Sequence, residues 1–154
     1  MARHAKLTGL GLISLGFLLL GGTFLTADDK KADDEHAALF ERCAKVCADC
    51  LRECESCAHH CAKLAASGKH DHLHTLGTCA DCAEFCTAAA KVVSRHGPLT
   101  ATICESCAKA CDICAAQCDK HAHDEHMKRC AKACADCATA CRDLLKHVGN
   151  EGCK

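Results

Sequence analysis

The chain has 154 residues, room for one domain, and its 19 basic and 20 acidic side chains nearly cancel, which gives nucleic acid no electrostatic reason to bind. It carries 19 cysteines, no tryptophan or tyrosine and only four phenylalanines. An ordinary core of aromatic and branched side chains is thereby excluded, and the interior must be built largely from alanine and from cysteine, which packs as a small hydrophobe when reduced.

The first 27 residues read as a secretory leader. Arg3 and Lys6 make a positive start, Leu7 to Leu20 is apolar and free of acids, and a cleavage site is expected at Leu25-Thr26-Ala27. The competing reading is an uncleaved anchor, since Leu7 to Ala27 is just long enough to span a bilayer. Either way, an exported, periplasmic protein is expected, membrane-anchored if the leader stays. Residues 28–33, beginning Asp28-Asp29-Lys30-Lys31, read as a charged linker.

Helix one is expected from about Asp34 to about Ala66, stopped by Ser67-Gly68. It contains Cys43, Cys47, Cys50, Cys54, Cys57 and Cys61, separated by steps of four and three. Residues three and four apart share one helical face, so these thiols form an inner stripe where a bundle helix usually carries Leu, Ile or Val. Helix two carries Cys79, Cys82 and Cys86 and is expected to end at Gly97, its start being either a cap at Asp71 or a Thr78–Asp81 capping box. Pro98 suits the first turn of helix three, which carries Cys104, Cys107, Cys111, Cys114 and Cys118 and runs to about Asp119. Helix four carries Cys130, Cys134, Cys137 and Cys141 and runs to about Val148, before a tail of residues 149–154.

No Gly or Pro separates helices three and four, so phase must locate the break. From Cys118 to Cys130 is twelve residues, which no alternation of threes and fours continuing the stripe provides, and a turn is expected near His121 to Asp124. Short connections make neighbouring helices antiparallel. The predicted fold is all-α: an up-down-up-down four-helix bundle over residues 34–148 with a cysteine-lined core. Repetition of CAKVCADC, CESCAKAC and CAKACADC suggests duplicated helical hairpins. Only Cys153 lies off every stripe.

Eighteen registered thiols invite soft metal ions: Cu(I), Zn²⁺ or iron–sulfur clusters. Charge separates these. Zinc on four thiolates leaves two negative charges per site, and burying uncompensated charge is expensive. Cu(I) between bridging thiolates, about one ion per cysteine, leaves the core neutral. An iron–sulfur cluster is bulky, and its cysteines usually wrap it in a loop. Three readings therefore stand: multiple Cu(I) ions, zinc or iron–sulfur binding, and a disulfide-rich exported structural protein. The last is weakened because bridges within one helix tie together turns that the helix already holds. No Ser–His–Asp order or Gly-rich phosphate loop occurs, and Asp49, Asp81 and Asp136 follow the outward phase, so a binding module rather than an enzyme is expected.

Repeated Cys-x₃-Cys and Cys-x₂-Cys steps on four helices, with histidines clustered in the loops, resemble the bacterial four-helix-bundle copper storage proteins. The resemblance covers Asp34 to about Val148. It implies storage of many Cu(I) ions for copper homeostasis or detoxification, uptake at one end of the bundle, exchange with copper donor or acceptor proteins, and often a homotetramer. Both exported and cytosolic branches exist, and eighteen core cysteines are more usual in the cytosolic one.

The ends of the expected bundle differ. One collects His59, His60, His70, His72, His74, His121, His123, His126 and Met127. His121, His123 and Met127 are in phase with the thiol stripes and are expected to bind copper in transit, and His72 joins them if helix two starts early. The other end continues the stripes with Phe40, Val93, Leu144 and Val148, a hydrocarbon plug, and has only His36, His96 and His147.

Overall fold

A computed structural model describes residues 27–150. Four helices follow one another: α1 (Ala27–Ala66), α2 (Leu73–Ser94), α3 (Thr100–Asp119) and α4 (Glu125–Asn150), with a single 3₁₀ turn, His70–His72, leading into α2. α1 packs on α2 and α4, and α3 packs on the same two helices, so the four stand in ring order as an up-down-up-down bundle. The expected leader, apart from Ala27, and Cys153 lie outside the described residues. Among the described residues no helix is long and apolar enough to cross a membrane.

The connections show why the chain turns where it does. α1 closes in a Schellman motif: Lys69 N–H donates to Leu64 C=O at 3.0 Å, Gly68 N–H to Ala65 C=O at 3.0 Å, and Gly68 takes φ 93°. α2 closes in the same motif one step earlier than its glycine suggests. Gly97 N–H donates to Val92 C=O and His96 N–H to Val93 C=O, at 3.0 and 2.9 Å, which puts His96 rather than Gly97 in the left-handed conformation, at φ 50°. Such a backbone costs a non-glycine residue about 1–2 kcal/mol. The turn between α3 and α4 falls at residues 120–124, where the phase break requires it.

Several boundaries differ from expectation. Residues 28–33 are not a linker but the first turns of α1. Ala32, Lys30 and Lys31 are good helix formers, and Lys31 pairs with Glu35 at 3.9 Å. Neither expected cap starts α2: the Thr78 hydroxyl donates back to His74 C=O at 2.9 Å inside the helix, and Gly77 is carried within it. Pro98 sits in the turn before α3, which begins at Thr100, whose N–H and hydroxyl both donate to Gly97 C=O. α4 extends past Val148 through Gly149 to Asn150.

The core runs the length of the bundle and is mostly sulfur. All eighteen cysteines from Cys43 to Cys141 are buried, beside Ala83, Ala89, Ala108 and Ala138. Larger side chains sit only at the ends: Met127 at one, Phe40, Val93 and Leu144 at the other. Alanine and cysteine let the helices approach, but each buries little apolar area, so the metal-free bundle holds a thin hydrophobic reserve. Side chains on the outer faces add pairs between helices, Arg129 with Glu53 at 3.7 Å and Arg142 with Asp112, both exposed enough to contribute little.

Candidate metal centre

The alternating three- and four-residue steps turn every cysteine of a helix inward, and four such stripes meet along one axis. Sulfurs of different helices come within 3.6–4.0 Å: Cys54 with Cys134 at 3.6 Å, Cys79 with Cys114 at 3.6 Å, Cys47 with Cys137 at 3.7 Å, Cys43 with Cys141 at 4.0 Å. A covalent S–S bond would be about 2.05 Å, and the eighteen thiols are free.

Within this column, sets of four sulfurs lie inside 4.8 Å of one another. From the plugged end upward they include Cys47 with Cys107, Cys137 and Cys141; Cys50 with Cys82, Cys86 and Cys111; and Cys50 with Cys54, Cys82 and Cys134. Next come Cys54 with Cys114, Cys130 and Cys134, and Cys57 with Cys79, Cys118 and Cys130. Cys50, Cys54, Cys82, Cys130 and Cys134 each serve two sets. Sharing decides what can fill them. An ion demanding four thiolates of its own cannot occupy adjacent sets, whereas ions joined by bridging sulfurs can occupy all of them.

The thiols titrate as one interlocked group. Hydrogen bonds among neighbouring thiols are the largest influence at seventeen of them, lowering some and raising others, while burial raises all eighteen. At Cys61, the last thiol of α1, burial is the leading cause and the group is pushed up to about 11. A metal ion taken up by these sulfurs would therefore displace protons.

Above Cys57 the column ends in Met127, fully buried, with its Sδ 3.4 Å from the Cys57 thiol. His121 is half-buried and stacks on His72 at 4.1 Å, and His123 is exposed, 6.5 Å from His121 edge-on. His72, which the early start of α2 and its 3₁₀ turn place in phase seven residues before Cys79, is 5% exposed with Nδ1 lacking a hydrogen-bond partner. Burial, and then the neighbouring His121, hold it below the ordinary imidazole range and so neutral. His60 is a site that phase did not single out. It bonds Asp124 at 2.8 Å and stacks on His126 at 4.3 Å. Its partner comes from the α3–α4 turn, which helix phase alone does not place beside it. Asp124 also accepts from the His126 N–H at 2.8 Å, capping α4. Burial opposes its ionisation, but the His60 and backbone hydrogen bonds outweigh that and hold it at about 2.

At the opposite end Phe40, Val93 and Leu144 are 4% exposed or less, forming the expected plug, and Val148 is half-buried. The plug is not bare hydrocarbon, however. His36, His96 and His147 converge over Phe40, with His96 stacked on its ring at 4.2 Å.

A sequence model of the copper storage proteins matches residues 36–146. Solved structures of copper storage proteins share the fold, three of them as follows. A cytosolic copper storage protein from Streptomyces lividans, solved with five coppers, is 34% identical with a TM-score of 0.68, over 73% of this chain and 97% of its own. The Streptomyces lividans protein loaded with 10 copper equivalents is 35% identical with a TM-score of 0.66, over 71% of this chain and 85% of that one. A Cu(I)-bound copper storage protein, BsCsp3, is 32% identical with a TM-score of 0.64, over 70% and 98% respectively. No individually curated protein matches. These likenesses correct the expectation of an exported, periplasmic protein, because the Streptomyces lividans relative is described as cytosolic.

Proposed function

Since the chain belongs to the copper storage protein family, we propose that Cu(I) is cargo held by bridging thiolates along the whole sulfur column. The observation that carries this reading is the sharing of Cys50, Cys54, Cys82, Cys130 and Cys134 between adjacent four-sulfur sets. One Cu(I) for each core thiol lets the charges cancel, so many ions can be buried without the penalty of a buried net charge. The eighteen cysteines from Cys43 to Cys141 are the storage ligands. This is a binding role, with copper homeostasis or detoxification as its use and the cytosol as its place.

Copper would travel through the imidazole end. His121 and His123 offer weak neutral ligands at the surface, His72 a buried neutral one, and Met127 a thioether in contact with Cys57. Ligand strength rises inward, from imidazole through thioether to thiolate, so an ion steps downhill without being trapped early. Donor or acceptor proteins would dock here. Bundles would associate into a homotetramer through the α2–α3 face, where Phe85 and Ile113 are 41% and 58% exposed.

Anaerobic titration of the reduced protein with Cu(I) against a competing chelator tests the reading. Uptake should approach one ion per core thiol, and the loaded bundle should unfold at a higher temperature than the metal-free one. A plateau near four metals with Zn²⁺ bound equally tightly, or protein that shows no free thiols and takes up nothing, overturns it.

A further inference from the structure

The plugged end carries a second set of metal-ligating side chains, made from three separate parts of the chain. His36 comes from the start of α1, His147 from the last turns of α4, and His96 from the turn between α2 and α3. His36 Nδ1 and His147 Nε2 lie 2.8 Å apart. The His36 ring centre is 4.9 Å from that of His147 and 5.7 Å from that of His96. Phe40 closes the floor, 4.6 Å from His36 and stacked against His96 at an interplanar angle of 8°.

His96 is held there by an unusual backbone. The left-handed position that ends a helix is ordinarily glycine, and this chain has a glycine next door, yet the histidine takes φ 50°. Gly97 meanwhile is packed so that an added Cβ would come within 3.2 Å of Val92. A non-glycine residue in that conformation points to a demand on its side chain. Here the conformation brings the ring over Phe40 and beside His36.

We infer that His36, His96 and His147 form a binding site for one divalent transition-metal ion, distinct from the thiolate column and closing the plugged end of the bundle. Neutral imidazole suits Zn²⁺, Cu²⁺ and Ni²⁺. Three imidazoles around an ion at about 2.0–2.1 Å place neighbouring nitrogens roughly 3.3 Å apart in tetrahedral geometry. The His36–His147 pair therefore needs to open by roughly half an ångström to admit the ion between its nitrogens. Its hydrogen bond is then exchanged for two coordination bonds, with a fourth position left for water. Thiol-rich sets hold soft Cu(I). A site of imidazoles alone favours a borderline divalent ion, so the plugged end and the column sort metals by ligand type. Because the three ligands join α1, α4 and the α2–α3 turn, the ion would also staple the end where the helices are otherwise held by Phe40, Val93 and Leu144.

The test uses protein whose thiols are already saturated with Cu(I), so that added Zn²⁺ cannot compete for sulfur. Titration with zinc chloride should show one ion bound per chain, and the imidazole proton resonances of His36, His96 and His147 should move together. His96→Ala and His147→Ala should each weaken zinc binding at least tenfold while leaving Cu(I) capacity unchanged, which also verifies that each variant is folded. Absence of zinc binding to the copper-saturated protein overturns the inference. So does binding that survives the His96→Ala, His147→Ala double variant, or resonance shifts confined to His60, His72, His121 and His123. Cu(I) capacity is read separately, so a failure of the storage reading and a failure of this one give different results.

Discussion

Met127 is where packing and metal transfer can be separated. It is fully buried, its Sδ is 3.4 Å from the Cys57 thiol, and Cys57 belongs to the uppermost four-sulfur set named above, with Cys79, Cys118 and Cys130. Met127→Ala removes packing and thioether together, at about 2–5 kcal/mol of stability for a buried side chain of this size, and so tests neither alone. Met127→Leu keeps the volume and removes only the sulfur, which should cost under about 1.5 kcal/mol. In that variant an ion leaving the imidazoles has no soft neutral ligand before Cys57. If the thioether stabilises the ion in transit by about 1.4 kcal/mol, loading should slow about tenfold. Stopped-flow transfer of Cu(I) from a coloured chelator measures the rate, and an endpoint titration measures capacity, which should stay that of the parent. Loading of Met127→Leu at the parent rate, with Met127→Ala slow, would refute the reasoning and leave Met127 as packing alone.

Replacing His121, His123 and Met127 together by Ala should slow both loading and removal by chelators while final capacity stays nearly constant, as rapid mixing in each direction would show. Leu144→Ala, at a site 1% exposed in the plug, should destabilise the metal-free protein by about 3 kcal/mol in urea, and equal unfolding midpoints would contradict its place in the core. Asp124→Ala should cost about 1 kcal/mol through loss of the α4 cap. The Asp124 pKa in the fold, about 2, lies below its ordinary 3.8, so its contribution is complete above about pH 4 and disappears as pH falls through about 2. Acid unfolding of the parent and the alanine variant should therefore converge at the low end of that window. His72 is likewise depressed: below its ordinary 6.5 the unfolded chain takes up the proton first, so stability begins to fall there, while the folded imidazole stays neutral to lower pH and copper transfer through it should hold across 6.5 and decline only further below.

Spacing alone places eighteen thiols correctly because a helix has one period and a four-helix bundle one inside. Cys118 and Cys130, twelve residues apart, even locate a turn that no glycine or proline marks. Boundaries were less readable. Residues 28–33 look like a linker by charge yet extend α1, since local helix propensity, not charge, sets where an exposed helix begins. The glycine of the α2 turn pointed to the wrong residue because the Schellman hydrogen bonds select a position by geometry, and His96 occupies it.

Periodicity within a helix thus settles which face of each segment turns inward and what that face is made of. It is silent on contacts between residues far apart in the chain, since those depend on how helices are stacked and where their ends stop. The pairing of His60 with Asp124, the burial of His72 under its 3₁₀ turn and the meeting of His36, His96 and His147 over Phe40 are all of that kind. The thiol column follows from a repeat of three and four, whereas the two histidine ends exist only because antiparallel packing brings loops and termini of distant sequence to the same place.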